Sequence, residues 1–200
     1  LAARIPPSSD QNALREYDSV NREWTECLGR ACLKQNVKLF FPSTSNVYAA
    51  YNDELLPEDT LHIHPQNSYS ESKYAAEKAL RTLSPQGLRF SIVRFGSVYG
   101  YSKGTHFKTR IDTFVKQAME GRPIEVWRTG LEQFRAYTYV GDCAKAINFF
   151  IDSDVFSGDV YNVVSENART RTVVEEVERL IPGSVITLVD HKYMNEFSYG

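Results

Sequence analysis

The pattern that most restricts this chain is an alternation of short, densely apolar runs with amphipathic stretches of ten or more residues. Strands joined by crossovers of that length pair side by side in parallel, because a tight hairpin cannot return the chain to the same end of the sheet. Apolar positions Leu14, Tyr17, Val20, Trp24, Cys27, Leu28, Ala31 and Cys32 recur every three or four residues and predict one helix over about 13–35. Residues 37–41 predict a short buried strand ending at Pro42, and 49–66, with Pro57 and Pro65, read as loop. A helix over 68–83 is stopped by Ser84-Pro85-Gln86-Gly87. Residues 88–95 are apolar on both faces, as in a parallel strand covered on two sides. A loop bearing Gly96, Gly100 and Gly104 precedes a helix over 110–120, which Gly121 and Pro123 end. The remainder reads as strands 124–127 and 136–140, helix 142–150, strand 159–164, helix 171–180 and strand 184–189. The predicted class is α/β.

Composition narrows the partners. There are 23 Lys and Arg against 25 Asp and Glu, a formal charge of −2, so no basic excess marks a nucleic-acid or membrane-surface partner. No apolar run reaches the ~18–20 residues of a membrane span. Cys27, Cys32 and Cys143 are scattered and form no CxxC pair, which points to a reducing, cytoplasmic setting. His62 and His64 stand in a proline-bearing loop, and His106 and His191 stand alone, so no metal site is expected.

Four places could carry chemistry. Tyr69 and Lys73 are four apart on a predicted helix, hence on one face. A phenol is a poor base at neutral pH, and an ammonium beside it is expected to pull its pKa down. Ser43-Thr44-Ser45 follows a predicted strand, where open α/β sheets bind ligands. Arg94-Phe95-Gly96-Ser97-Val98-Tyr99-Gly100 follows another, and Arg135-Ala136-Tyr137-Thr138-Tyr139-Val140-Gly141-Asp142 comes later. Asp142 is expected to cap its helix, and Arg94 to be structural.

Taken together and in this order, these segments resemble the extended short-chain dehydrogenase/reductases, in particular the NAD-dependent nucleotide-sugar epimerase/dehydratase group. The resemblance covers nearly the whole chain. It implies a Rossmann-like doubly wound parallel sheet with a smaller α/β substrate-binding domain. Residues 1–96 would form the later part of the dinucleotide-binding domain, and 97–200 the substrate region, with 136–152 packing back on the first part. By the same resemblance, Thr44 bonds the reacting substrate oxygen, with Ser43 and Ser45 as possible substitutes. Tyr69 is the acid/base, and Lys73 lowers its pKa and holds the nicotinamide ribose. Leu1, Ala2, Ala3, Asn21 and Phe95 line the cofactor cleft together with Tyr69 and Lys73. Ser45, Ser97, Trp127 and Arg135 face the substrate, Arg135 as a diphosphate ligand.

The resemblance also implies NAD or NADP, with NAD favoured, a nucleotide-diphosphate sugar as substrate, and a homodimer. The glycine-rich Gly-x-x-Gly-x-x-Gly turn that holds a dinucleotide pyrophosphate does not occur in these 200 residues. By resemblance it belongs to strands lying before Leu1, so the 200-residue chain by itself is expected to be inactive and to bind NAD weakly. Calorimetry showing tight NAD binding by the isolated chain would contradict this. Ser97 stands where the family has Asn, and Ala49 where it has Gly. Dehydratases of the family carry Asp-Glu after the catalytic Thr, and the decarboxylase-like members carry Glu at the second place. Here Ser45 and Asn46 stand there, which favours an epimerase. The alternatives are a dehydratase, a keto-sugar reductase, or a non-catalytic remnant acting as an interaction module.

Overall fold

The computed structural model describes residues 19–48, 56–60, 62–65, 67–105, 107 and 109–190. A π-helical turn (Ser19–Glu23) runs into helix α1 (Trp24–Lys34), followed by strand β1 (Leu39–Thr44) and helix α2 (Ser68–Leu83). Strands β2 (Phe90–Phe95) and β3 (Ser97–Tyr99), helix α3 (Arg110–Met119) and strands β4 (Ile124–Trp127) and β5 (Phe134–Tyr139) come next. Helix α4 (Val140–Ser153), strands β6 (Val160–Val163) and β7 (Glu166–Arg169), helix α5 (Thr170–Leu180) and strand β8 (Ile186–Val189) complete the order.

The chain divides into two units. The first holds residues 1–51, 55–95 and 145–163, and the second 52–54, 96–144 and 164–200. The expected packing-back segment 136–152 is thus divided, 136–144 falling in the second unit and 145–152 in the first.

In the first unit β1, β2 and β6 form a parallel sheet in the order β1-β2-β6. Successive side chains on β1 point to opposite faces, and both faces are covered. Leu39 and Phe41 join Cys32 of α1, Ala76, Leu80 and Leu83 of α2, and Phe90 and Ile92 of β2 in one buried cluster. On the other face Phe40 meets Phe150 of α4 edge-on, ring centroids 5.3 Å apart. Helices on both faces of a parallel sheet make this a doubly wound α/β fold. Gly29 sets the spacing of α1 and α2, since a Cβ there would lie 2.8 Å from Leu80 Cδ2 and 2.9 Å from Leu83 Cδ1.

Strand β1 runs through Pro42 and ends at Thr44, later than expected. The reason is geometric. The Leu39 amide donates to the Arg89 carbonyl, 2.9 Å, and amide direction alternates along a strand. Pro42, three residues on, has its missing N–H on the side away from β2, so the ladder loses nothing there.

In the second unit β3 pairs parallel with β5, and β5 antiparallel with β7. Strands β4 and β8 pair parallel, and Ile124 and Val126 pack with Phe114 and Ala118 of α3 and Val174 and Val177 of α5. Two expectations change here. The glycine-bearing stretch after β2 contains a strand, and β7 is an element that the apolar pattern does not announce. Gly96 joins β2 to β3 where a Cβ would come within 2.7 Å of the Ala136 carbonyl group, so no larger residue fits without moving backbone. Asp142 is not a cap, because α4 begins two residues earlier; its carboxylate accepts from Ser165 Oγ at 2.6 Å. Among the described residues no helix is long and apolar enough to cross a membrane.

Candidate active site

Helix α2 starts where Asn67 and Ser70 cap it reciprocally, the Asn67 side chain accepting from the Ser70 amide at 2.9 Å and Ser70 Oγ from the Asn67 amide at 3.3 Å. That fixes the first turn, and Tyr69 and Lys73 follow on one face of it. The helix packs on β1 and on the short turn Ser45–Val47 that follows Thr44. Asn21, buried in the π-helical turn, donates from Nδ2 to Ser72 Oγ at 2.9 Å, and Ser72 donates to the Tyr69 carbonyl at 2.8 Å. Asn21 therefore anchors the stretch of α2 between Tyr69 and Lys73. π-Helical turns are enriched at functional sites.

Thr44, Tyr69 and Lys73 share a property. Thr44 is buried, and its Oγ1 accepts from the Asn46 amide at 3.2 Å, which leaves its O–H without an acceptor among the described residues. The Tyr69 phenol is half-buried with no hydrogen-bond partner among them. Lys73 is 5% exposed, and its Nζ lies 4.0 Å from the Phe41 ring centroid. No acceptor bonds its three N–H groups among the described residues. Thr44 and Lys73 are buried and Tyr69 is half-buried, so β1 and α2 together carry three side chains with donors left uncommitted among the described residues.

Burial pushes the Lys73 ammonium down from 10.5 to about 8, with the Glu77 charge acting in the opposite direction. At pH 7 it remains mostly protonated. Burial pushes the Tyr69 phenol up, the reverse of the expected effect of Lys73. The ammonium lies against the Phe41 ring, and desolvation of the phenolate dominates. At neutral pH Tyr69 is therefore in its neutral phenol form.

A stability consequence follows. Because the folded pKa of Lys73 lies below the unfolded one, the unfolded chain holds the extra proton between about pH 8 and 10.5. Stability contributed by this group rises with pH across that window, and the cost of burying the ammonium is felt in full below it. The difference of 10.5 and 8 amounts to about 3 kcal/mol at 1.36 kcal/mol per unit. Lys73→Met is therefore expected to be more stable than the parent at pH 7, by up to about that amount, with the gap narrowing toward pH 10. Urea denaturation at the two pH values checks it, and a less stable Met variant at pH 7 would contradict it.

Phe95 is buried at the end of β2, in register with Thr44. Ser45 is half-buried in the turn after Thr44. Ser43 is not available to substitute for Thr44. It is buried, and its Oγ donates to Glu77 Oε1 at 2.5 Å. Ser97, Trp127 and Arg135 belong to the second unit. Ser97 pairs with Tyr137, half-buried Trp127 closes β4 opposite Val189, and Arg135 donates from Nη2 to Gln133 Oε1 at 2.9 Å. Leu1, Ala2 and Ala3 lie outside the described residues.

Sequence reading missed Glu77. It sits one turn beyond Lys73 on the same face, a spacing that could have flagged it. Its carboxylate, 0% exposed, takes a forked pair from Arg94, Nε at 3.1 Å and Nη2 at 2.6 Å. Arg94 Nη1 donates to the Tyr48 hydroxyl at 2.8 Å, and Tyr48 donates to Asn162 Oδ1 at 2.7 Å.

The profile of the family described as NAD dependent epimerase/dehydratase matches residues 1–163. The chain is 29% identical over 191 residues to the UDP-N-acetyl-alpha-D-glucosaminuronate decarboxylase of Bacillus cytotoxicus, which covers 92% of this chain and 59% of that protein. It is 27% identical over 162 residues to the ADP-L-glycero-D-manno-heptose-6-epimerase of Fusobacterium nucleatum, covering 75% and 48%. The chain thus spans between 48% and 59% of the length of these two relatives. The UDP-glucose 4-epimerase of Thermus thermophilus, solved in complex with NAD, superposes with a TM-score of 0.78 at 26% identity, covering 96% of this chain and 64% of that one. Pal from Bacillus thuringiensis shares the fold at a TM-score of 0.82 and 24% identity, covering 98% and 62%.

Proposed function

The chain belongs to the NAD-dependent epimerase/dehydratase family, and from that membership we propose that the full-length protein is an NAD-dependent nucleotide-sugar epimerase. The observation that carries this reading is the set of uncommitted donors on Thr44, Tyr69 and Lys73. An alcohol that is oxidised and then reduced needs a group that takes its proton and returns it, and a second donor that holds the same oxygen. Tyr69 fits the first role and Thr44 the second. Lys73, a buried ammonium with three N–H groups to give, has the donor set that a ribose diol satisfies, and Asn21 and Phe95 complete the cofactor side.

Held by Lys73, Asn21 and Phe95, NAD would supply the reversible hydride acceptance that oxidation of the sugar carbon requires. Tyr69 takes the proton of the neighbouring oxygen and returns it, and the Lys73 ammonium, one turn along α2, holds the cofactor's ribose. Arg135, with Ser97 and Trp127, binds the nucleotide-diphosphate end, where a forked guanidinium suits paired phosphate oxygens.

Epimerisation is favoured over elimination by the residues that follow Thr44. Ser45 and Asn46 carry no carboxyl group to move the protons that water loss requires. Glu77, the carboxylate on the α2 face that carries Tyr69 and Lys73, already accepts three hydrogen bonds from Arg94 and Ser43.

The test is product analysis by mass spectrometry and NMR, with the full-length protein, NAD and a panel of UDP- and ADP-linked sugars. The expected product has unchanged mass and one inverted carbon. Loss of the mass of water or of carbon dioxide would replace this reading with a dehydratase or decarboxylase.

A further inference from the structure

The face of α2 that carries Tyr69 and Lys73 continues one turn further to Glu77, and that turn is where the helix is tied to the sheet. Three donors converge on the Glu77 carboxylate: Ser43 Oγ, next to Thr44 on β1, and Nε and Nη2 of Arg94 on β2. Arg94 reaches on to Tyr48, whose ring it also covers at 4.9 Å, and Tyr48 to Asn162 of β6. One network, buried at Glu77 and Arg94 and part-buried at Tyr48 and Asn162, thus links α2 to β1, β2 and β6. An ion pair of this kind does little for net stability compared with apolar residues of the same volume, so a positional use accounts for it better.

We propose that Glu77 is the positioning residue of the Thr44–Tyr69–Lys73 set. Its carboxylate ties the helix to the residue before Thr44, and its negative charge keeps the buried Lys73 side chain an ammonium. This rests on the functional reading above for the identity of the set, but not for its electrostatics. Among the described residues, the following groups face Lys73. Tyr69 and Glu77 stand one turn away on either side along α2, Phe41 from β1 lies under the ammonium, and Arg94 from β2 reaches the same region through Glu77. The π-helical turn contributes the neutral Asn21, through Ser72.

The experiment is a ¹³C NMR titration of the lysine Cε resonances in the full-length protein, with the Lys73 signal assigned by its loss in Lys73→Arg. Glu77→Gln keeps the shape of the side chain and removes its charge. Its expected effect is a fall of the Lys73 midpoint by about one pH unit or more, the scale of a neighbouring opposite charge. Glu77→Asp retains the charge and is expected to return most of that shift. Ser43→Ala, which removes only the tie, is expected to leave the midpoint in place while lowering kcat more than it changes KM.

Glu77→Gln leaves Arg94 unpaired, so a version that fails to fold is replaced by the double variant Glu77→Gln/Arg94→Met, for which a lowered midpoint is again expected. An unchanged Lys73 midpoint in the folded charge-removed protein would overturn the proposal. The midpoint is read without substrate, so it stands or falls separately from the epimerase reading.

Discussion

Tyr69→Phe is expected to stop turnover in the full-length protein while leaving nucleotide-sugar binding within a few-fold of the parent. The ring still fills its half-buried place on α2, and only the O–H is lost. A positioned acid/base group contributes about 10²–10⁴-fold, and one that also polarises the reacting oxygen belongs at the upper end. Arg135→Ala is expected to do the opposite, raising KM more than it lowers kcat, because a diphosphate contact remote from the reacting carbon acts mainly in binding. Steady-state kinetics of the two variants decide the matter. A near-normal kcat in Tyr69→Phe would end its assignment as the acid/base.

The second large effect concerns stability. Arg94→Met leaves the Glu77 carboxylate buried at 0% exposure with Ser43 as its remaining partner. Breaking one side of a buried ion pair costs about 3–5 kcal/mol, whereas replacing both sides with apolar residues is often close to neutral. The double variant Glu77→Leu/Arg94→Met is therefore expected to recover most of the stability that Arg94→Met loses. Equilibrium urea denaturation of both checks this. A double variant no more stable than the single one would show that the loss does not come from the stranded carboxylate.

What the amino-acid sequence discloses, and what it hides, follows physical lines. Helix α2 is legible to the residue because its start is a cap and its stop is Pro85 with Gly87, whose φ of 98° suits glycine. Strand β7 is not legible, since Glu166-Asn167-Ala168-Arg169 buries only Ala168 and owes its extended form to pairing with β5. Pro42 misleads as a terminator because its harmlessness depends on which way one amide points. The Tyr69–Lys73 pair is visible as spacing along a single helix. Glu77 is in the same series, but its partners Ser43 and Arg94 arrive from two strands, and no local pattern announces a contact made by the sheet. The sign of the Tyr69 shift is hidden for a related reason. Spacing shows that an ammonium is near, and only packing shows that the phenol is desolvated and that the ammonium lies on Phe41.

The central claim is that a sugar hydroxyl is oxidised and reduced in one site with Tyr69 carrying the proton. Its most direct test is the fate of a deuterium label at the carbon undergoing inversion, with UDP-[4-²H]glucose as the first substrate tried and the same labelling applied to whichever sugar turns over. Hydride that leaves and returns within a closed site keeps its label, so the inverted product should retain deuterium and gain no hydrogen from solvent at that carbon. Inversion accompanied by loss of the deuterium to water would contradict the account.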